Sequence, residues 1–114
     1  MEFEEISDML VDLGLSKNEA KVYLYLATNG EKRVKEISQD LEIKKQQLYP
    51  TLKEMKKIHI VETRSVNPKF FSAVPFEIVL EALIGLKFDQ STKILENKEK
   101  LVSYWQSVDW NNGK

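Results

Sequence analysis

The sequence predicts a mainly α-helical fold with one small β-hairpin, continued by a long C-terminal helix or helix pair. Three observations predict it. Four stretches between Phe3 and Ile58 repeat apolar residues at helical spacing. Between Ile60 and Val74 the pattern shortens to two runs of about five residues either side of Val66-Asn67-Pro68, which is a hairpin signal. From Phe76 to about Trp105 no strong helix breaker appears. A hairpin placed directly after the last of four short helices gives the order of a winged helix-turn-helix. The 114 residues fit one domain with a helical appendage. The expected organisation is a winged unit over 1–75, a helical segment over 76–108 and a frayed tail over 109–114.

The first helix rests on Phe3, Ile6, Leu10 and Leu13, with Glu4, Glu5, Asp8 and Asp12 on the other faces, and Gly14 stops it. Ser16 opens the second, with Glu19 three residues on as its capping-box partner. Ala20, Tyr23, Leu24 and Ala27 form its inner stripe, and Asn29-Gly30 ends it. The third is short, roughly Val34 to Leu41. The fourth runs from about Lys45 to Ile58, with Leu48, Leu52 and Met55 inward. Pro50 inside it would cost about 3 kcal/mol in a helix interior. A start near Gln46 or a slight kink is therefore expected. Strands follow over Ile60–Ser65 and Lys69–Val74.

Pro75 suits a helix start. One unbroken helix from there to Trp105 would be a rod of about 45 Å, which a small domain cannot bury alone. The series Leu80, Ile84, Phe88, Leu95, Val102 and Trp105 fits one heptad seam, with Ser91 and Lys98 as polar interruptions. That seam predicts a homodimer. Asp89-Gln90-Ser91-Thr92 is where the rod is expected to divide if it forms two helices.

Net charge is −1, but its distribution is uneven. Residues 43–74 hold seven basic groups, Lys44, Lys45, Lys53, Lys56, Lys57, Arg64 and Lys69, against Glu54 and Glu62. The rest of the chain holds ten basic groups against sixteen acidic ones. A dipolar chain of this kind can present its basic part to phosphate while its acidic part is repelled. With no cysteine, disulfides, thiolate catalysis and zinc ribbons are excluded, and a reducing, cytoplasmic setting is the expectation. No apolar run approaches the roughly 18 residues that would span a bilayer. The acidic start MEFEEISD is not a secretory leader.

These features converge on double-stranded DNA. In a helix-turn-helix the second helix lies in the major groove, where base edges differ pair by pair. With Leu48, Leu52 and Met55 inward, Gln46, Pro50, Lys53 and Lys57 point outward, flanked by Gln47, Tyr49 and Thr51. Glutamine can read adenine bidentately, and lysine can contact guanine or phosphate. Lys44, Lys45, Lys56 and Lys57 are phosphate candidates, as are Arg64 and Lys69 on the hairpin. His59, the single histidine, closes the fourth helix, where its partial charge suits the dipole. Trp105 is expected in the dimer seam. No Gly-rich phosphate loop, nucleophile motif or metalloprotease motif is present. The expectation is a non-enzyme without metal or cofactor. A small-molecule effector, in a pocket between the winged unit and the dimer helices, is allowed but not indicated. Winged helices also serve as protein-binding adaptors, so the alternative is an adaptor in a larger assembly without DNA binding.

The runs LGLSKNEAKVYLYLATNG, VKEISQDLEIKKQQLYPTLKEMKKIHIVE and PKFFSAVPFEIVLEALIGLK resemble the N-terminal DNA-binding domain of the TrmB-type archaeal transcription regulators. Leu13-Gly14-Leu15, Glu19-Ala20, Tyr23, Leu48-Tyr49, Leu52 and Ala73-Val74-Pro75 are the most specific matches. The resemblance implies a winged-helix transcription regulator in a short form, without the sugar-binding domain of longer members. It implies that Lys44 to Lys53 enclose the DNA-reading positions and that the helix after Pro75 dimerises. His59 replaces the glycine usual after the recognition helix. Lysines and glutamines open that helix where the family often has Pro, Ser and Arg.

Overall fold

In the computed structural model, which describes residues 2–65 and 67–108, α1 (Phe3–Asp12) and α2 (Lys17–Asn29) are followed by α3 (Val34–Leu41) and α4 (Lys45–Lys57). Strands β1 (Val61–Arg64) and β2 (Phe70–Ala73) come next, then α5 (Phe76–Glu96) and α6 (Lys98–Ser107). The fold is a winged helix with a C-terminal helix pair, as the patterning predicted. The expected tail over 109–114, Trp110 and Val66 of the expected turn lie outside the described residues.

Helix ends follow the local chemistry. Gly14 takes φ +116, and the amides of Gly14 and Leu15 donate to the Val11 and Leu10 carbonyls at 2.9 and 3.1 Å, closing α1 in a Schellman turn. At the start of α2 the Glu19 amide donates to Ser16 Oγ at 3.0 Å, and the Ser16 amide donates to Glu19 Oε1 at 2.8 Å. The reciprocal cap read from the sequence is therefore present. Glu42 in the left-handed region ends α3 and turns the chain into α4 within three residues.

The same closure ends α4, with a histidine in the glycine position. His59 sits at φ +63, its amide donates to Lys56 O at 3.1 Å, and the Ile60 amide donates to Met55 O at 3.0 Å. A side chain in this region costs roughly 1–2 kcal/mol that glycine avoids. His59→Gly should raise stability by about 1 kcal/mol, part of the gain being offset by glycine's freedom in the unfolded chain. Thermal unfolding would register that as roughly 4 °C.

The core forms where α1 to α4 meet the hairpin. Leu10, Tyr23, Leu26, Ile37, Leu48, Leu52, Met55, Ile60, Val61 and Phe71 are buried together. The Tyr23 hydroxyl donates to Val74 O at 2.5 Å, which ties α2 to the exit of β2, and burial pushes its pKa up to about 12. Two apolar residues depart from the expected stripes: Phe3 and Ala27 are exposed, while Val22 and Leu26 are buried instead.

The hairpin pairs Val61 with Ala73 through to Arg64 with Phe70, antiparallel. A third piece of backbone joins it. Lys32, between α2 and α3, exchanges two hydrogen bonds with Phe71, at 3.0 and 2.8 Å. One bridged residue has no period, so nothing in the residue pattern announced it.

Of α5, Val79 and Leu83 reach the core. Lys87 Nζ then donates to Asp12 O at 3.2 Å, and beyond it the helix leaves the domain. The molecule measures 55 × 32 × 29 Å accordingly. The rod does divide, but at Asn97 and not at residues 89–92, which stay helical. The Asn97 amide side chain donates to Lys93 O at 2.8 Å, and its backbone amide is shared between Lys93 O and Ile94 O. Asparagine competes with the helix for backbone partners in this way, which ends α5.

Candidate nucleic-acid interface

Helix α4 is held by one side and open on the other. Leu48, Leu52 and Met55 are buried against the core. Gln46, Gln47, Tyr49, Pro50 and Lys53 are exposed, as are Lys44, Lys45, Lys56 and Lys57. Thr51 is half-buried, and its Oγ1 donates to Gln47 O at 2.8 Å, so it lies at the edge of the open face. The helix begins at Lys45, within one residue of the start expected near Gln46, and passes through Pro50. Burial of Leu48 and Leu52 on either side of the proline holds the helix through the lost bond.

The electrostatics at the start of α4 run against helix stability. Its first turn has no acidic residue, Lys44 is the N-cap, and Lys45 is the first helical residue. The Lys44 side chain caps nothing; its carbonyl accepts from the Gln47 and Leu48 amides, both at 2.9 Å. Two cations therefore stand at the positive end of the helix dipole, where acids are usually favoured. Among the described residues, none of the five α4-region lysines, Lys44, Lys45, Lys53, Lys56 and Lys57, makes an ion pair.

The hairpin adds two cations in different settings. Arg64, the last residue of β1, places Nε 3.4 Å from Oε2 of Glu31. Lys69 lies just before β2, with Nζ 5.7 Å from the Phe71 ring centroid. Glu31 was not among the residues singled out from sequence. Its nearness to Arg64 depends on the Lys32–Phe71 bridge, which carries no pattern.

The seam residues are placed as follows. Leu80 is half-buried, and Ile84 (51%), Phe88 (67%), Leu95 (71%), Val102 (46%) and Trp105 (62%) are exposed in the single chain. A second feature is an open groove of about 790 Å³ between α1 and α2, with an apolar floor from Phe3, Val11, Leu24 and Leu41. It includes no residue of α5 or α6, so it is not the pocket an effector site between the two parts would need. Among the described residues, no cluster of three or more His, Asp or Glu could hold a metal ion. No described helix is long and apolar enough to cross a membrane.

The profile of the family described as "Sugar-specific transcriptional regulator TrmB" matches residues 9–77, well over half of the chain. The chain belongs to the TrmB family. The matched span of this TrmB-family protein takes in α2 to β2, the last turn of α1 and the first residues of α5. It is thus a family of transcriptional regulators and not of enzymes. A solved structure described as the disulfide-formed AbfR has a TM-score of 0.53 and 17% identity, covering 93% of this chain and 83% of that one. At that identity the likeness concerns the fold, and it extends through the C-terminal helices. No curated protein matches the chain.

Proposed function

We propose that this TrmB-family protein is a sequence-specific, double-stranded DNA-binding transcriptional regulator that acts as a homodimer. One observation carries the reading. The face of α4 turned away from the buried Leu48, Leu52 and Met55 is open, polar and cationic, and its lysines have no carboxylate partner among the described residues. Residues 1–75 act as the DNA-binding unit and 76–108 as the dimerisation segment.

In this mechanism α4 enters a major groove. Gln46, Gln47, Tyr49, Thr51 and Lys53 face base edges, and Lys44, Lys45, Lys56, Lys57, Arg64 and Lys69 hold phosphate. The first α4 amides and their two lysines together make the helix start attractive to a phosphate oxygen. The seam residues Leu80, Ile84, Phe88, Leu95, Val102 and Trp105 pair across a two-fold axis. That symmetry suits a pseudo-palindromic site with half-sites about 34–36 Å apart.

The test is Gln47→Ala combined with Lys53→Ala, measured on a duplex selected from a random pool. A lost bidentate base contact costs about 1–3 kcal/mol, so binding should weaken at least ~10-fold, with relaxed base preference at the contacted positions. Unchanged affinity and unchanged preference would show that another face reads the DNA.

A further inference from the structure

We propose that Glu31 sets the DNA affinity of the hairpin by occupying Arg64 as a built-in substitute for phosphate. The inference rests on the DNA-binding reading and adds to it a residue outside α4 and the hairpin.

The geometry is specific to this one cation. Of the seven basic groups between residues 43 and 74, Arg64 alone is paired with a carboxylate among the described residues. Its Nε stands 3.4 Å from Glu31 Oε2, and both side chains are half or more exposed. Glu31 is not a freely swinging neighbour. Lys32, the next residue, is fixed to Phe71 by two backbone hydrogen bonds, and Phe70 pairs with Arg64 in the hairpin register. The backbone therefore delivers a carboxylate to the side of the wing, at the base of the arginine that the wing would offer to DNA.

An exposed pair of this kind is weak, so a phosphate oxygen can replace the carboxylate with no rearrangement of the backbone. The exchange has a thermodynamic signature. A lysine that meets phosphate releases a counterion and steepens the salt dependence. When Arg64 leaves Glu31 for phosphate, the freed carboxylate draws a cation back from solution. Arg64 then contributes less to the net number of ions released, and less to affinity, while Glu31 is present. Without the carboxylate it contributes in full.

The experiment measures binding of the full chain to one selected duplex as salt is varied, for wild type, Glu31→Gln, Arg64→Gln and the double variant. Glu31→Gln should bind about two- to fivefold tighter at ~0.15 M salt, and its slope of log affinity against log salt should steepen by up to ~0.9 per subunit. Arg64→Gln should weaken binding more in the Glu31→Gln background than in wild type. In the double variant the gain from Glu31→Gln should vanish. No gain in Glu31→Gln overturns the proposal, and so does an equal gain with Arg64 absent, since the carboxylate would then act by general repulsion. If wild type shows no salt-dependent binding to any duplex, the DNA-binding reading fails first. If it does bind and the four affinities show no coupling, only the role of Glu31 fails.

Discussion

Replacing Lys44, Lys45 and Lys53 together by glutamine should weaken duplex binding by at least ~100-fold per subunit at ~0.15 M salt, while leaving the fold intact. Lys44 and Lys45 each neutralise a phosphate, which contributes roughly 0.9 to the salt exponent, equivalent to about 1 kcal/mol at that ionic strength, and the base contact of Lys53 adds about 1–3 kcal/mol. The three lysines are exposed, none has a carboxylate partner among the described residues, and Lys44 caps α4 through its carbonyl and not its side chain. Their loss therefore removes no contact that holds the domain. Removing cations from the first turn should even stabilise α4, by about 0.3–1 kcal/mol each for Lys44 and Lys45. Thermal unfolding measured beside binding separates the two effects: affinity falls and the melting temperature holds or rises. A variant that unfolds, or one that binds as wild type does, contradicts the assignment.

The second large effect concerns the C-terminal helices. Ile84→Asp with Phe88→Asp should convert a dimer into single chains, read by sedimentation, and should lower affinity for a two-half-site duplex. Both residues are more than half exposed in the single chain, so nothing in the core requires them. On a two-fold axis each substitution acts twice. Four large apolar side chains, at about 1.5–3 kcal/mol each on full burial, amount to ~6–12 kcal/mol, the difference between a tight dimer and none. Four carboxylates in their place would also resist burial. Sedimentation identical to wild type in the double variant would show that this face does not join two copies.

Much of the architecture was legible because strong local chemistry and packing agree. Ser16 with Glu19, Gly14 and the Leu48-Leu52-Met55 stripe each specify one local outcome, and the structure forms all three. The α4 face was legible for the same reason: once three apolar positions are inward, the geometry of a helix places the lysines and glutamines outward. What escaped depends on contacts distant in sequence or on side-chain competition. The Lys32–Phe71 bridge, and with it the Glu31–Arg64 pair, joins the connection between α2 and α3 to the hairpin, far along the sequence, through two hydrogen bonds. The division at Asn97 was missed because the four polar residues 89–92 look weaker than a lone asparagine. Those four stay helical, whereas the Asn97 side chain takes a carbonyl from the preceding turn. Phe3 was assigned inward on spacing alone, yet it lies on the open groove at the first residue of α1.

In the proposed function the cationic face of α4 meets phosphate. The most direct measurement is the slope of log affinity against log salt on one selected duplex, for wild type and for the Lys44, Lys45 and Lys53 triple glutamine variant. Wild type should give a steep negative slope, and the variant, having lost the two phosphate contacts of Lys44 and Lys45, should be shallower by about 1.8 per subunit. A wild-type slope near zero, or a slope that the three substitutions leave unchanged, would show that this face does not carry the binding.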